Sequence, residues 1–171
     1  MKEKITYVPH EGVVVEDRNR NSFFFKLGSD ILKNHFFSYT FEDEDPEDCS
    51  SPLYLFFNET FRIWTEKDKK TILGMACENS FILKGYELIG MDFKELLQLG
   101  ILRFDYVEYD RYWLGSNINF RYYTVYYNLE YNFSIYVWRK KIRRILINSN
   151  FFTQKKYEDI EYLESLEIIK L

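Results

Sequence analysis

The sequence predicts an α+β fold: two tandem repeats, each a short helix followed by an antiparallel meander, forming a sheet with the helices on one face. Three observations predict it. The stretch Phe25-Lys26-Leu27-Gly28-Ser29-Asp30-Ile31-Leu32 is echoed by Glu87-Leu88-Ile89-Gly90-Met91-Asp92-Phe93-Lys94. Aromatic strands follow each copy, with Phe56-Phe57-Asn58, Phe61-x-Ile63-Trp64 and Lys69-Lys70-x-Ile72-Leu73 answered by Tyr126-Tyr127-Asn128, Phe133-x-Ile135-Tyr136 and Arg143-Arg144-Ile145-Leu146. Aromatic residues make up 20% of the 171 residues, a composition that favours strands.

The first repeat, about residues 10–78, opens with the apolar runs Val13-Val14-Val15 and Phe23-Phe24-Phe25, separated by the polar stretch 17–22. Gly28-Ser29-Asp30 supplies a turn and an N-cap for a helix to about residue 37, with Ile31 and His35 on its inner stripe. Residues 42–48 are too charged to bury, so an exposed loop is expected there. A meander follows over residues 53–57, 61–65 and 71–77.

The second repeat, about residues 79–150, has the clearer helix. Asp92 caps it with Glu95 three residues on, Phe93, Leu96 and Leu97 supply the apolar stripe, and Gly100 ends it. Strands are expected over residues 102–109, 120–127, 132–138 and 142–147. A last helix, about 155–166, places Ile160, Leu163 and Leu166 on one side. The whole chain, 1–171, reads as one domain.

Alternation along the middle strands separates two faces. Phe61, Ile63 and Thr65 share a side, as do Phe133, Ile135 and Val137, and these form the expected core. The other side carries Arg62 and Trp64 in one copy and Ser134, Tyr136 and Trp138 in the other. Amphipathic rings among polar residues suit a protein-binding surface, so Trp64, Tyr136 and Trp138 are candidate partner-binding residues. Asp43, Glu44, Asp45, Glu47 and Asp48 join them as a polyanionic loop able to steer a cationic partner.

Other chemistries find little footing. The net charge of −4 supplies no global basic field, so nucleic acid is an unlikely partner. No apolar run approaches the roughly 20 residues of a membrane helix, and no apolar segment follows the N-terminal basic residues, which makes a cytoplasmic location the expectation. The histidines are His10 and His35 and the cysteines Cys49 and Cys77, without zinc spacing, so no metal and no cofactor is expected. No nucleophile-and-base motif or phosphate loop is present, which points away from an enzyme. Asp105, Glu108 and Asp110 read as a solvated strand edge.

The basic run Arg139-Lys140-Lys141-Ile142-Arg143-Arg144 matches Lys67-Asp68-Lys69-Lys70 at the equivalent turn. There it keeps a hairpin soluble, while phosphate binding is its alternative role.

The duplicated layout resembles the tandem-repeat protein inhibitors of the β-lactamase inhibitory protein type, and the small α+β immunity proteins of toxin-antitoxin pairs. The resemblance implies a non-enzymatic inhibitor or immunity-type protein that blocks a protein partner. The acidic loop makes a nuclease-like toxin or effector the preferred partner. The alternatives are a nucleic-acid-associated protein using residues 139–144, and a structural protein of a mobile element. The sparse His and Cys content predicts that a metal chelator leaves the thermal unfolding curve unchanged. A chelator-induced loss of structure would overturn that expectation.

Overall fold

The computed structural model describes residues 3–32, 37–43, 51–113 and 120–148. Among them the elements are β1 (Lys4–Val8), β2 (Gly12–Glu16), β3 (Ser22–Lys26), β4 (Tyr39–Glu42), β5 (Leu53–Phe56), β6 (Phe61–Thr65), β7 (Ile72–Cys77), β8 (Ile82–Leu83), β9 (Tyr86–Glu87), α1 (Phe93–Leu99), β10 (Tyr106–Trp113), β11 (Phe120–Asn128), β12 (Phe133–Trp138) and β13 (Lys141–Asn148). The strands form a five-stranded sheet of order β3-β2-β1-β8-β9 and an eight-stranded sheet of order β10-β11-β12-β13-β7-β6-β5-β4.

The expected α+β class is therefore corrected to a nearly all-β fold. A second sheet, rather than a layer of helices, covers the aliphatic face. Phe25 of β3 meets Phe56 and Phe61 at ring-centroid distances of 5.5 and 5.4 Å, and Tyr7 of β1 meets Phe133 at 5.6 Å. Ile5, Val13 and Val15 from one sheet join Ile63, Ile135 and Ile145 from the other in a single buried core. Of the first expected helix, the described residues 28–32 form a turn and a bridge, and residues 33–36 lie outside the described residues. The expected helix over 155–166 lies outside them as well.

The helix over residues 93–99 forms as its caps dictate. Asp92 is extended and its side chain accepts from the Lys94 N–H, while Gly100 adopts the left-handed conformation at φ 63° and donates to the Leu97 carbonyl. Phe93 and Leu96 bury its inner stripe.

The two meanders, β4–β7 and β10–β13, match in hydrogen bonding. Gly28 N donates to Ile72 O at 2.9 Å and Ile72 N to Ser29 O at 3.0 Å; Gly90 N donates to Ile142 O at 2.8 Å and Ile142 N to Met91 O at 3.0 Å. Ile31 N reaches Lys70 O and Phe93 N reaches Lys140 O in the same way, so Lys70 and Ile72 correspond to Lys140 and Ile142, not to Arg144 and Ile145 as the sequence pattern suggests. The Asp30 and Asp92 carboxylates accept from Leu32 N and Lys94 N. A break in register also recurs, between Trp64 and Thr65 in one copy and Tyr136 and Val137 in the other.

The matched last strands meet. β7 pairs antiparallel with β13, with Ala76 opposite Leu146. Phe61 pairs with Cys77 and its counterpart Phe133 with Ile147, so Ala76 and Leu146 are themselves counterparts, and a local two-fold passes through their pair. Gly74 sits at this seam, where an added Cβ would stand 2.9 Å from the Ile147 carbonyl oxygen.

Phe61 and Phe133 are both fully buried. Truncating either to Ala is expected to cost about 3–5 kcal/mol, read as a lowered denaturant midpoint. Gly12→Ala should also destabilise strongly, because its φ is 146° and a Cβ would lie 2.0 Å from the Phe25 carbonyl oxygen. Gly28→Ala, with no atom near the new methyl group, should lose only the milder cost of a left-handed backbone.

Candidate functional site

Alternation sends the odd-numbered aliphatic residues of β12 inward and Ser134, Tyr136 and Trp138 outward, away from the second sheet. β11 adds Tyr123, Val125 and Tyr127 to that outer face, since Val125 pairs with Tyr136 and Tyr127 with Ser134. The rings pack around Val125, which is fully buried, and Tyr136 and Trp138 stay half-buried at the rim. Tyr123 meets Tyr136 edge-on at 5.8 Å, and the Tyr127 hydroxyl donates to the Glu108 carboxylate at 2.8 Å. This second apolar cluster is separate from the main core.

Guanidinium groups surround the rings. Arg139 lies 4.5 Å from the Trp138 centroid and Arg143 5.6 Å, while Arg144 lies 5.8 Å from that of Tyr136. Arg144 is also fixed by Glu78, to which its Nε donates at 2.7 Å, and Arg62 approaches the same carboxylate at 3.9 Å. Arg139 and Lys140 are the two central residues of the β12–β13 turn, with φ of 50° and 65°. Positive φ at both central positions belongs to the tight hairpin turn that Asn-Gly favours, and each non-glycine residue there costs about 1 kcal/mol or more.

Of the expected partner-binding residues, the structure brings Tyr136 and Trp138 together. Trp64 shares their sheet face but sits opposite Gly74 and Leu53 on β6, with β7 and β13 between it and β12. Asp43 is not part of a free polyanion, because Lys69 pairs with it at 2.7 Å. Glu44, Asp45, Glu47 and Asp48 lie outside the described residues. Tyr123 and Tyr127 escaped sequence reasoning because tyrosines occupy both faces of β11, Tyr122 and Tyr126 pointing to the other side.

Among the described residues, no group of three or more His, Cys, Asp or Glu side chains is arranged to hold a metal ion. An open groove of about 670 Å3 runs between Asp17, Tyr39, Leu55 and Glu59. Its Asp17 carboxylate is spent on its own turn: it accepts from the Asn21 side chain and from the Asn19 and Asn21 N–H groups, which holds it below the usual carboxylate range. No helix among the described residues is long and apolar enough to cross a membrane. Compared with protein-family models, curated proteins and solved structures, the chain matches none.

Cys77 is wholly buried opposite Phe61, and burial first, then the Glu87 and Glu78 charges, push its thiol well above the ordinary range. A thiol-alkylating reagent at neutral pH should therefore leave Cys77 unmodified in the native protein and label it once denaturant is added, as read by peptide mass spectrometry.

Proposed function

We propose that this chain is a cytoplasmic, non-enzymatic binding protein of the inhibitor or immunity type, and that it blocks a protein partner with the outer face of its eight-stranded sheet. One observation carries the reading: the half-buried Tyr136 and Trp138, backed by the buried Tyr123, form a packed ring cluster flanked by arginines on the face turned away from the core. Tyr, Trp and Arg are the side chains that dominate binding energy at protein interfaces, and rings held by neighbouring rings lose little freedom on binding. The sheet beneath them is anchored on both sides by neighbouring strands, so the surface is rigid before a partner arrives.

The nuclease-like partner suggested by the acidic run draws nothing from Asp43, which Lys69 neutralises. Stacking of nucleic-acid bases is disfavoured at Trp138, because two guanidinium groups already lie against its ring.

The test is capture of a partner from source-cell extract by the immobilised chain, followed by dissociation measurements. Tyr136→Ala and Trp138→Ala are each expected to speed release about tenfold or more, and the captured partner should lose its own activity when bound. Trp64→Ala, remote from the cluster, should change release far less. Unchanged release by both ring variants would sink the proposal.

A further inference from the structure

The repeat supplies an internal control for the basic hairpin. In the first copy the turn between β6 and β7 is self-neutralised. The Asp68 carboxylate accepts from the Lys70 and Thr71 N–H groups at 2.8 Å and from the Thr71 hydroxyl at 2.6 Å, and Lys69 pairs with Asp43. The second copy's turn is shorter, residues 138–141 between the paired Val137 and Ile142 against residues 66–71 between Thr65 and Ile72, and it has no counterpart of the acids Glu66 and Asp68.

The neighbouring register break has diverged in the same direction. In the first copy the extra residue opposite Trp64 and Thr65 is Leu73, followed by Gly74; in the second the corresponding residues are Arg143 and Arg144. Such a bulge re-aims a side chain, and here Arg143 joins Arg139 over Trp138. Arg139, Lys140 and Arg143 are all exposed, and none makes an ion pair among the described residues. Two unpaired guanidinium groups thus share one ring, with the unpaired Lys140 beside them in the turn, and Arg139 and Lys140 hold backbone conformations that Arg and Lys disfavour.

We propose that Arg139 and Arg143 over Trp138, with Lys140 next to them in the turn, form a docking site for a short acidic segment of a protein partner. Charge complementarity names the occupant: guanidinium groups stacked on a ring keep their N–H edges free for carboxylates, which they bind in a fork. The patch is also short. Lys141 is already drawn to Asp92 at 3.8 Å, Arg144 is held by Glu78, and Glu108 lies further along the ring cluster, so carboxylates close the cationic stripe that a nucleic-acid backbone would need. This assignment rests on the reading of the chain as a binding protein and adds what the partner presents.

The probe is a fluorescently labelled glutamate-rich peptide, with a single-stranded oligothymidine of matched charge alongside it, titrated with the full chain at several salt concentrations. The peptide should bind, with an affinity that falls as salt rises. The double change Arg139→Asn with Lys140→Gly should raise the melting temperature, because Asn-Gly suits the turn, yet weaken peptide binding about tenfold or more. Arg143→Gln should weaken it without touching the turn. Lys69→Gln, in the first repeat, should leave it unchanged.

Peptide binding as tight in these second-repeat variants as in the parent would overturn the assignment, as would no peptide binding by the parent. Tighter binding of the oligonucleotide than of the peptide would overturn it in favour of a phosphate ligand. If the peptide fails while Tyr136→Ala and Trp138→Ala still speed partner release, this assignment falls and the binding-protein reading stands. If the peptide binds and those ring changes leave release unaltered, the ring-anchored reading falls instead.

Discussion

Everything in this molecule depends on the seam between β7 and β13. Each meander alone would present one aliphatic face of limited extent. Antiparallel pairing of their last strands, centred on Ala76 and Leu146, joins Phe61, Ile63 and Met75 to Phe133, Ile135 and Ile147 in a single surface. That surface is wide enough for a second sheet to cover, and burying it supplies the main hydrophobic term in stability. Small side chains at the seam allow the approach: Ala76 faces outward and Gly74 leaves no Cβ to collide with the neighbouring backbone.

The same duplication explains how one scaffold comes to hold two unlike ends. Both copies keep the glycine turn and the aspartate cap, whose backbone bonds to the following hairpin fix the chain entering the meander. Those bonds involve main-chain atoms and a conserved side-chain type, so the residues at the hairpin tip are left free to differ. One tip holds its turn together with Asp68 and has a single residue, Lys69, at positive φ; the other has two in succession, Arg139 and Lys140. Strain retained where a commoner turn sequence would relieve it is the pattern of a position selected for something other than stability.

Much of this was legible in the residues, for identifiable reasons. Asp92 and Gly100 mark α1 because capping is local chemistry, and Phe61, Ile63, Phe133 and Ile135 point inward because strand alternation is regular. The fold class was misread because the Gly28-Ser29-Asp30 signal, like that at Gly90, announces a capped turn rather than the length of any helix after it. Short strands also hid: β8 and β9 have two residues each, too few for periodicity to show. β1 did carry a usable signal, since Lys4 and Thr6 are exposed while Ile5 and Tyr7 are buried. Tyr136 and Trp138 followed from alternation, but the position of Arg143 over Trp138 did not, because a register break shifts parity and composition alone does not locate one.

The seam also orders events in time. Within each meander the strands meet through hairpins, contacts between neighbours in sequence that form in about 1–10 μs. The β7–β13 pairing and the parallel contact of β1 with β8 instead join segments far apart along the chain, and each must await a large loop closure. Hairpins should thus assemble and dissolve repeatedly before the halves meet, with the rate of folding governed by that encounter. Until it happens the aromatic faces of both halves are open to water and to each other's counterparts in neighbouring molecules. A chain so rich in rings is then most exposed to exchanging one half with another copy, giving a swapped dimer whose seam is made of the same pairs.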